Sequence, residues 1–308
     1  MKVALTCPAT IFPAEYGGSE KTVGYRAMEL DKMGHEVHLY SAGPYKPANG
    51  KLIIWSGNVG DVHTGEYDII DNNCQSEFSC HNQINTVQGP FYPKRNVVCI
   101  SHSQAKGMGF HPNCRVIHYG TDINYFTPLF EKEDWFLFFS RIVHGKGVHI
   151  AVELAKLIGF KLKIVGEDQK YVDVTYVEHI KNTCKTLPNV EYVGTVSNEK
   201  ALSYLQHAKA LLFPQFWGEA FGLVMIEALA CGTPVIAGGS NGAPPEVIEN
   251  GKTGFLCNDF ADYIKAVKSI DQINPKVCRE EAVKRWSARR MAEDYLKLYD
   301  AVIRGESW

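Results

Sequence analysis

The chain has 308 residues, of which 45% are hydrophobic and 21% charged, a composition typical of a soluble globular protein with sizeable hydrophobic cores. This length is about twice that of an average domain and predicts two domains. The formal net charge of -2 argues against nucleic acid as a partner. No stretch approaches the ~18 apolar residues of a transmembrane span. A peripheral membrane contact needs only a surface patch, so this alternative stays open.

The first 120 residues alternate short β-rich runs with a helical segment. Residues 19–33 predict a helix, because apolar residues from Val23 to Leu30 share one side and Gly34 follows the last turn. The predicted strands are residues 3–6, 37–40, 52–55, 68–71, 84–87, 97–100 and 115–118.

A linker-like stretch, T-D-I-N-Y-F-T-P-L-F-E-K-E-D, covers residues 121–134, and a second alternation follows it. Its predicted strands are residues 135–139, 161–165, 190–193, 210–213 and 234–237. Its predicted helices are residues 148–158, 174–186, 198–208 and 222–231. Short connections of this kind predict parallel sheets with helices on both faces.

The two alternations predict an α/β chain with two doubly wound, Rossmann-like domains, residues 1–120 and 121–286. The remaining segment, residues 287–308, contains an amphipathic helix. This last helix either caps the second domain or crosses back to the first one.

Nine cysteines are scattered along the chain without a C-x-x-C pair. An odd number without a disulfide framework is typical of a reducing compartment. The apolar run in the opening M-K-V-A-L-T-C-P is too short for a signal peptide. Together these features predict a cytoplasmic protein.

Ligands of doubly wound sheets bind where strands end and helices begin, and three such loops have informative residues. The first is E-Y-G-G-S-E, residues 15–20. Its glycines, Gly17 and Gly18, let the backbone approach a ligand closely, and the helix that follows favours an anion at its N-terminus. An ordinary loop with Ser19 as N-cap is an equal alternative. The stretch is not G-x-G-x-x-G, so a nicotinamide dinucleotide is only weakly supported.

The second loop is S-R-I-V-H-G-K-G, residues 140–147, between a predicted strand and helix. Arg141 and Lys146 place two cations over a helix N-terminus, an arrangement suited to a diphosphate. The alternative is two solvated surface cations.

The third loop precedes the helix at residues 222–231 and contains Glu219. The first amides of that helix, from Phe221 through Gly222 to Leu223, have no partner within the helix and can hold a phosphate. Glu227 lies inside the helix among apolar residues, so it needs a ligand or a basic neighbour unless it faces solvent. A ribose, with two hydroxyl groups for one carboxylate, fits this requirement.

The stretch G-E-A-F-G-L-V-M-I-E-A-L-A-C-G-T-P-V, residues 218–235, resembles the donor-site signature of glycosyltransferase family four, in which seven residues separate two glutamates. The loop S-R-I-V-H-G-K-G resembles the diphosphate loop of that family, and Y-G-G-S-E resembles its glycine-rich N-terminal loop. Residues 246–256, E-V-I-E-N-G-K-T-G-F-L, continue the similarity. The resemblance covers nearly the whole chain and is strongest from Trp135 onward.

This resemblance implies a GT-B fold, in which two Rossmann-like domains face a central cleft, here with a shortened N-terminal domain. It implies a retaining hexosyltransferase that uses a UDP- or GDP-linked sugar, a front-face mechanism, and neither a metal nor another cofactor. The acceptor would be a glycan, a lipid or a small molecule, and no nucleic acid is expected as a partner.

The resemblance also implies roles for individual residues. Glu227 would bind the ribose, and Glu219 would contact hydroxyl groups of the donor sugar. The departing diphosphate would be stabilised by Arg141, Lys146 and the amides of Phe221, Gly222 and Leu223. The remaining donor contacts would come from Gly17, Gly18 and Gln88.

The N-terminal half departs from the family pattern at three positions. Asp71 and Asn73 stand where the family often has histidines, and Gln88 stands where a histidine commonly contacts the donor sugar. An amide can still donate a hydrogen bond to a sugar hydroxyl, but it cannot titrate near neutral pH. Two alternatives therefore stay open: a nucleotide-sugar epimerase with a GT-B fold, and a nucleotide-sugar-binding protein without catalysis.

Overall fold

The computed structural model describes residues 1–7, 18–41, 53–56, 62, 64–74, 82–87, 92–166 and 172–308. Contacts divide the chain into an N-terminal unit, Met1–Asp122 with Trp286–Trp308, and a C-terminal unit, Ile123–Arg285. These boundaries lie beside the predicted ones at residues 120 and 286. Among the described residues, no helix combines the length and apolar character needed to cross a bilayer.

The N-terminal unit contains a parallel sheet of seven strands in the order β3-β2-β1-β4-β5-β6-β7. Among its described residues, two helices precede the C-terminal segment: α1 (Gly18–Lys32) and α2 (His102–Gly107). The strands are β1 (Lys2–Cys7), β2 (Glu36–Ser41), β3 (Ile53–Ser56), β4 (Ile69–Asn72), β5 (Gln83–Thr86), β6 (Val97–Cys99) and β7 (Arg115–Val116). Most residues of β1, β2, β4, β5 and β6 are buried, as strands covered on both faces require.

The C-terminal unit contains a parallel sheet of six strands in the order β10-β9-β8-β11-β12-β13. The strands are β8 (Phe136–Phe139), β9 (Leu162–Val165), β10 (Val190–Gly194), β11 (Ala210–Phe213), β12 (Val235–Gly238) and β13 (Gly254–Cys257). The predicted α/β class and the two doubly wound sheets are confirmed. The sixth strand, β13, was not predicted.

The helices after β8 are α3 (Val148–Ile158), α4 (Val174–Lys185), α5 (Asn198–His207), α6 (Leu223–Ala230), α7 (Pro244–Val247), α8 (Phe260–Ser269), α9 (Pro275–Trp286) and α10 (Ala288–Ile303). Side chains at the N-caps fix where four of these helices begin, because each accepts a hydrogen bond from an amide of the first turn. These N-caps are Asp173, Ser197, Asp259 and Ser287.

Helix α10 belongs to the N-terminal unit, where it packs against α1. Its Tyr295 and Tyr299 are fully buried. The Tyr299 hydroxyl donates a hydrogen bond to Asp71, and the Arg26 guanidinium lies 3.8 Å from the Tyr295 ring centroid. The last helix therefore completes the core of the first unit, which is the second of the two predicted alternatives.

The eight described cysteines are all buried and none forms a disulfide. Burial raises the pKa of several of their thiols, for example that of Cys231 to about 12. These thiols stay protonated at neutral pH and act as small apolar side chains.

Candidate functional site

The candidate site lies in the C-terminal unit, where β8 and β11 are neighbours at the middle of the sheet. Strands β9 and β10 continue the sheet on the β8 side, and strands β12 and β13 continue it on the β11 side. The strand order therefore reverses at this pair. Doubly wound sheets bind their ligands beside the carboxyl ends of such a pair. The loop 140–147 leaves β8 at this point, and the loop 214–222 leaves β11.

The loop after β8 presents two cations in different environments. Arg141 is exposed, and its guanidinium has no hydrogen-bond or ion-pair partner in the described part of the chain. Lys146 ends a short 3₁₀ turn, His144–Lys146, and its side chain is only 12% exposed. Arg141 is thus an available surface cation, whereas Lys146 is held inside the site.

The loop after β11 holds Glu219 by its backbone. Glu219 forms an isolated parallel bridge with Gly242, and the amide of Ala243 donates a hydrogen bond of 2.9 Å to the Glu219 carbonyl oxygen. Gly242 has a φ of +86°, and a Cβ atom there would lie 2.5 Å from the Glu219 nitrogen. The loop after β12 therefore positions Glu219, and it needs glycine at residue 242.

The ammonium group of Lys146 forms an ion pair and hydrogen bond with the Glu219 carboxylate. The Glu219 side chain is 15% exposed, so both charges are largely removed from solvent. The Lys146 nitrogen also lies 5.4 Å from the Phe213 ring centroid and 5.5 Å from that of Trp217. Both rings are within the distance at which an aromatic face attracts a cation. Two residues predicted from separate loops are thus brought together.

Glycines allow the two loops to approach each other closely. The Phe216 amide donates a hydrogen bond of 3.2 Å to the Gly145 carbonyl oxygen. A Cβ atom on Gly145 would lie 2.4 Å from the Trp217 ring, and one on Gly147 would lie 2.1 Å from the Pro214 carbonyl oxygen. The glycines of H-G-K-G therefore set the distance between the cationic loop and the glutamate loop.

Helix α6 begins at the same edge of the sheet. Gly222 caps it in the left-handed conformation with a φ of +87°. The amides of Gly222 and Leu223 donate no hydrogen bond to any residue the structure describes, whereas Phe221 is buried and has an interaction partner. Two of the three predicted amides are therefore open donors at a helix N-terminus, where an anion is favoured.

Glu227 is the buried carboxylate of α6, with only 6% of the residue exposed. The flanking Ile226 and Ala228 are also buried. Burial is the main cause of the raised pKa values of Tyr125 and Cys231; Glu199 adds to the first, and the nearby Glu227 adds to both. The sequence predicted a carboxylate among apolar residues here, and a carboxylate in such surroundings needs a ligand or a basic neighbour.

The predicted site residues of the N-terminal unit are only partly described. Gly18 is the first residue of α1, whereas Gly17 and Gln88 lie outside the described residues. Asp71 and Asn73, at the two positions where the family often has histidines, are buried beside Arg26. The Arg26 Nε lies 2.9 Å from the Asp71 carboxylate, and Arg26 donates a hydrogen bond of 2.7 Å to Asn73. These two residues therefore have structural partners.

Two residues of the site were not predicted from the sequence. Trp217 covers Gly145 and faces Lys146, and Gly242 supports Glu219. Signals for both were present: an aromatic pair, Phe216-Trp217, separated from Glu219 by one glycine, and a glycine-rich stretch, G-G-S-N-G, at the end of the next strand. Because β12 pairs with β11, that stretch had to lie beside the loop after β11.

Comparisons with known proteins agree on the fold and the family. The family model for glycosyl transferases group 1 matches residues 122–285. The glycogen synthase of Mycobacterium tuberculosis is 29% identical over 185 residues, which are 55% of this chain and 43% of that protein. The chain spans less than half the length of the first curated relatives it matches.

Solved structures resemble the chain over its full length. AviGT4, a glycosyltransferase involved in avilamycin A biosynthesis, superimposes with a TM-score of 0.86 at 23% identity, covering 100% of this chain and 99% of that one. Anabaena HepE, solved in complex with UDP and glucose, gives a TM-score of 0.73 at 16% identity, with 98% and 100% covered. At these identities the likeness shows the fold, and the expected GT-B fold is confirmed.

Proposed function

The chain belongs to the family of group 1 glycosyl transferases, and we propose that it moves a hexose from a nucleotide diphosphate sugar to an acceptor with retention of the anomeric configuration. The observation that carries the proposal is the pairing of Lys146 with Glu219 at the point where the strand order reverses. A cation and a carboxylate side by side can serve the two halves of a nucleotide sugar: its diphosphate and its hydroxyl groups.

The diphosphate would be held by cations and amides. Lys146 and Arg141 lie on the loop after β8, and the open amides of Gly222 and Leu223 stand at the start of α6, directly after Phe221. Arginine can donate two parallel hydrogen bonds to phosphate oxygens, and lysine acts as a point charge. These donors would make a bound metal unnecessary for charge neutralisation, so the proposed reaction is metal-independent.

The sugar and the ribose would be held by carboxylates. Glu219 would accept hydrogen bonds from hydroxyl groups of the donor sugar after Lys146 turns to the diphosphate. Glu227, buried in α6, would accept hydrogen bonds from the two ribose hydroxyl groups. UDP is the preferred nucleotide, and support comes from the fold neighbour HepE, which was solved with UDP and glucose.

The proposed step is a front-face substitution. The bond from the anomeric carbon to the β-phosphate oxygen breaks, and the acceptor oxygen forms its bond to that carbon on the same face. The acceptor proton passes to the departing diphosphate oxygen. Negative charge grows on the diphosphate in the transition state, so preorganised cations and amides lower the barrier, each by roughly 3 kcal/mol in comparable anion sites.

The test begins with thermal shift measurements on the full chain with UDP, GDP, ADP and NAD in the presence of EDTA. A ligand at 100 times its Kd adds about 2.7 kcal/mol to the stability of the folded state, which raises the melting temperature visibly. A selective rise with UDP or GDP supports the donor site. A rise with NAD alone contradicts the donor site, and so does the absence of a rise with any of the four nucleotides.

Turnover of the nucleotide sugar then separates the proposed enzyme from its alternatives. Release of UDP or GDP that depends on an added acceptor, with a product of unchanged anomeric configuration by NMR, supports a retaining transferase. Interconversion of the sugar without an acceptor indicates an epimerase, and binding without any turnover indicates a nucleotide-sugar-binding protein.

A further inference from the structure

The C-terminal unit has a cavity of about 240 Å³ that none of the donor roles uses. It lies at the carboxyl ends of β11, β12 and β13, between the first turns of α3 and α8. The residues that matter for its chemistry are Gln215, Phe216, Ser240, Asp259, Phe260 and Tyr263. Neither Lys146, Glu219 nor Glu227 lines it.

Two polar side-chain atoms at this cavity lack a hydrogen-bond partner among the described residues. Gln215 is only 2% exposed, and its Oε1 accepts no hydrogen bond from any described residue. Tyr263 is 6% exposed, and its hydroxyl has no partner among the described residues. The Tyr263 oxygen lies 3.2 Å from where a Cβ on Gly238 would stand, at the end of β12. A buried acceptor without a partner is rare, so the Gln215 Oε1, at a cavity that the unpartnered Tyr263 side chain also lines, indicates a missing hydrogen-bonding ligand.

The rim of the cavity is fixed before any ligand binds. The Gln215 amide nitrogen donates a hydrogen bond of 2.8 Å to the Asn241 carbonyl oxygen, and the Asn241 side chain donates one of 3.2 Å to the Phe216 carbonyl oxygen. The Ser240 hydroxyl donates a hydrogen bond of 3.0 Å to the Asn258 side chain. Three consecutive loops are thereby joined, so a ligand would meet a largely preformed site.

The chemistry of the lining residues limits the class of ligand. They include no lysine, arginine or histidine, and their one charged residue is Asp259, whose carboxylate caps α8. Phosphates and carboxylates are therefore disfavoured. Phe216 and Phe260 line the cavity and are 43% and 40% exposed, so they offer apolar ring faces beside the polar groups. A neutral sugar has hydroxyl groups at its edges and apolar faces. It therefore suits a cavity that offers an amide oxygen and a tyrosine hydroxyl beside exposed aromatic rings.

We propose that this cavity binds one neutral sugar unit of a carbohydrate acceptor or product, separately from the donor sugar. Hydroxyl groups of the sugar would donate to Gln215 and exchange a hydrogen bond with Tyr263, while its apolar face packs against Phe216 or Phe260. The inference rests on the proposed function only in that a glycosyltransferase handles carbohydrates.

The experiment is saturation-transfer difference NMR on the full chain with the methyl α-glycosides of glucose, galactose, mannose and N-acetylglucosamine. Saturation transfer to at least one glycoside is expected, with a Kd in the millimolar range. No transfer to any of the four at about 50 mM, a concentration that reveals millimolar affinity, overturns the proposal.

Two variants test the location. Tyr263→Phe keeps the ring and removes only the hydroxyl, so the Kd should rise about threefold to tenfold, the usual worth of one neutral hydrogen bond. Ser240→Trp, at an exposed rim position, should fill the cavity and abolish the signal. Binding that neither variant changes overturns the proposed location.

Lys146→Ala and added UDP separate this inference from the proposed function. Both act on the donor site, so saturation transfer to the glycoside should persist in the variant and in the presence of UDP. Loss of the signal under either condition would place the sugar in the donor site and overturn the proposal. If the chain binds a glycoside at the cavity but no nucleotide, the proposed function fails and this inference stands.

Discussion

Lys146 and Glu219 lie 73 positions apart in the sequence, yet their side chains form an ion pair between the loops that follow β8 and β11. Each charge neutralises the other at 12% and 15% exposure, respectively. A diphosphate that binds here competes with Glu219 for the lysine and leaves the carboxylate to the sugar hydroxyl groups. The two residues are therefore expected to act together, and their individual losses should be far from additive.

Lys146→Ala and Glu219→Gln should each lower the rate of transfer at least about 100-fold, because each removes a group aimed at the donor. The measurement is kcat and KM for the nucleotide sugar in both variants, and their circular dichroism should match the wild type. The double variant should be little slower than either single one.

Lys156→Ala is the matched control. Its exposed ion pair with Glu153 spans 3.9 Å on α3, the helix that follows the cationic loop, and such pairs contribute about 0–1 kcal/mol. Its rate should equal that of the wild type. Rates near the wild-type value in Lys146→Ala or Glu219→Gln would contradict the assigned roles.

Gly147→Ala should disrupt the donor loop. The residue has a φ of +76°, and a Cβ atom would lie 2.1 Å from the Pro214 carbonyl oxygen, a backbone atom that cannot turn aside. Gly159→Ala supplies the control, since Gly159 has a φ of +87° with nothing within 4 Å. The control should lose only the roughly 1–2 kcal/mol of a left-handed non-glycine residue, and its nucleotide affinity should be unchanged.

The comparison needs urea unfolding and the thermal shift with UDP on both variants. We expect Gly147→Ala to lose more stability than Gly159→Ala and to lose its response to the nucleotide. Equal losses of stability with intact nucleotide binding would show that the close approach of the two loops is unimportant.

Asp71→Asn should destabilise the N-terminal unit by about 3–5 kcal/mol, since it leaves the guanidinium of Arg26 buried without a counter-charge. Arg26 is 1% exposed and lies 2.9 Å from Asp71. Burial alone would lower the pKa of Arg26, but Asp71 and the neighbouring tyrosines raise it, so the guanidinium stays charged.

Urea unfolding of Asp71→Asn and of Glu293→Gln measures the difference between a buried and an exposed pair in the same unit. The Arg289–Glu293 pair on α10 is half exposed on both sides, so its loss should cost less than about 1 kcal/mol. Similar losses of stability in the two variants would contradict the predicted cost of leaving Arg26 buried without a counter-charge.

Much of the fold was predictable because its local signals are strong. The helix predicted for residues 148–158 has those bounds, since a glycine stands at each end and apolar residues recur between them. Strand β13 was missed because G-F-L-C is short and begins with glycine. The reason for that glycine is tertiary: a Cβ on Gly254 would lie 1.8 Å from the Val235 carbonyl oxygen.

The site was predictable only in part. The chemistry of four residues could be predicted from their residue types and from their positions beside predicted strands and helices. These residues are Arg141, Lys146, Glu219 and Glu227. That Lys146 would reach Glu219 depends on β8 and β11 being neighbours, which no local pattern contains. The unpartnered hydroxyl of Tyr263 likewise follows from the packing of α8 over β12, so the cavity had no signal in the sequence.

The stability of the N-terminal unit should decrease as the pH falls below about 6.5, with His38 as one cause. The ring is buried in β2, where its Nδ1 lies 2.8 Å from the Tyr67 hydroxyl and its Nε2 lies 3.1 Å from Glu36. Burial, with a smaller effect of Lys2, lowers the pKa of His38 although Glu36 opposes the shift. The unfolded chain therefore takes up the proton first as the pH falls.

The sign follows from linkage: the contribution of His38 is fully present above the unfolded pKa and is lost as the pH falls through the lowered folded pKa. Protonation would also end the hydrogen bond that Tyr67 can donate to Nδ1, inside a cluster that includes the hydroxyl of Tyr40 at 2.6 Å from that of Tyr67. Urea unfolding of the wild type and His38→Gln between pH 7.5 and about 5 measures the effect. Because glutamine does not titrate there, the wild type should lose more stability than the variant over this range. Parallel pH profiles for the two proteins would show that acid acts on other groups.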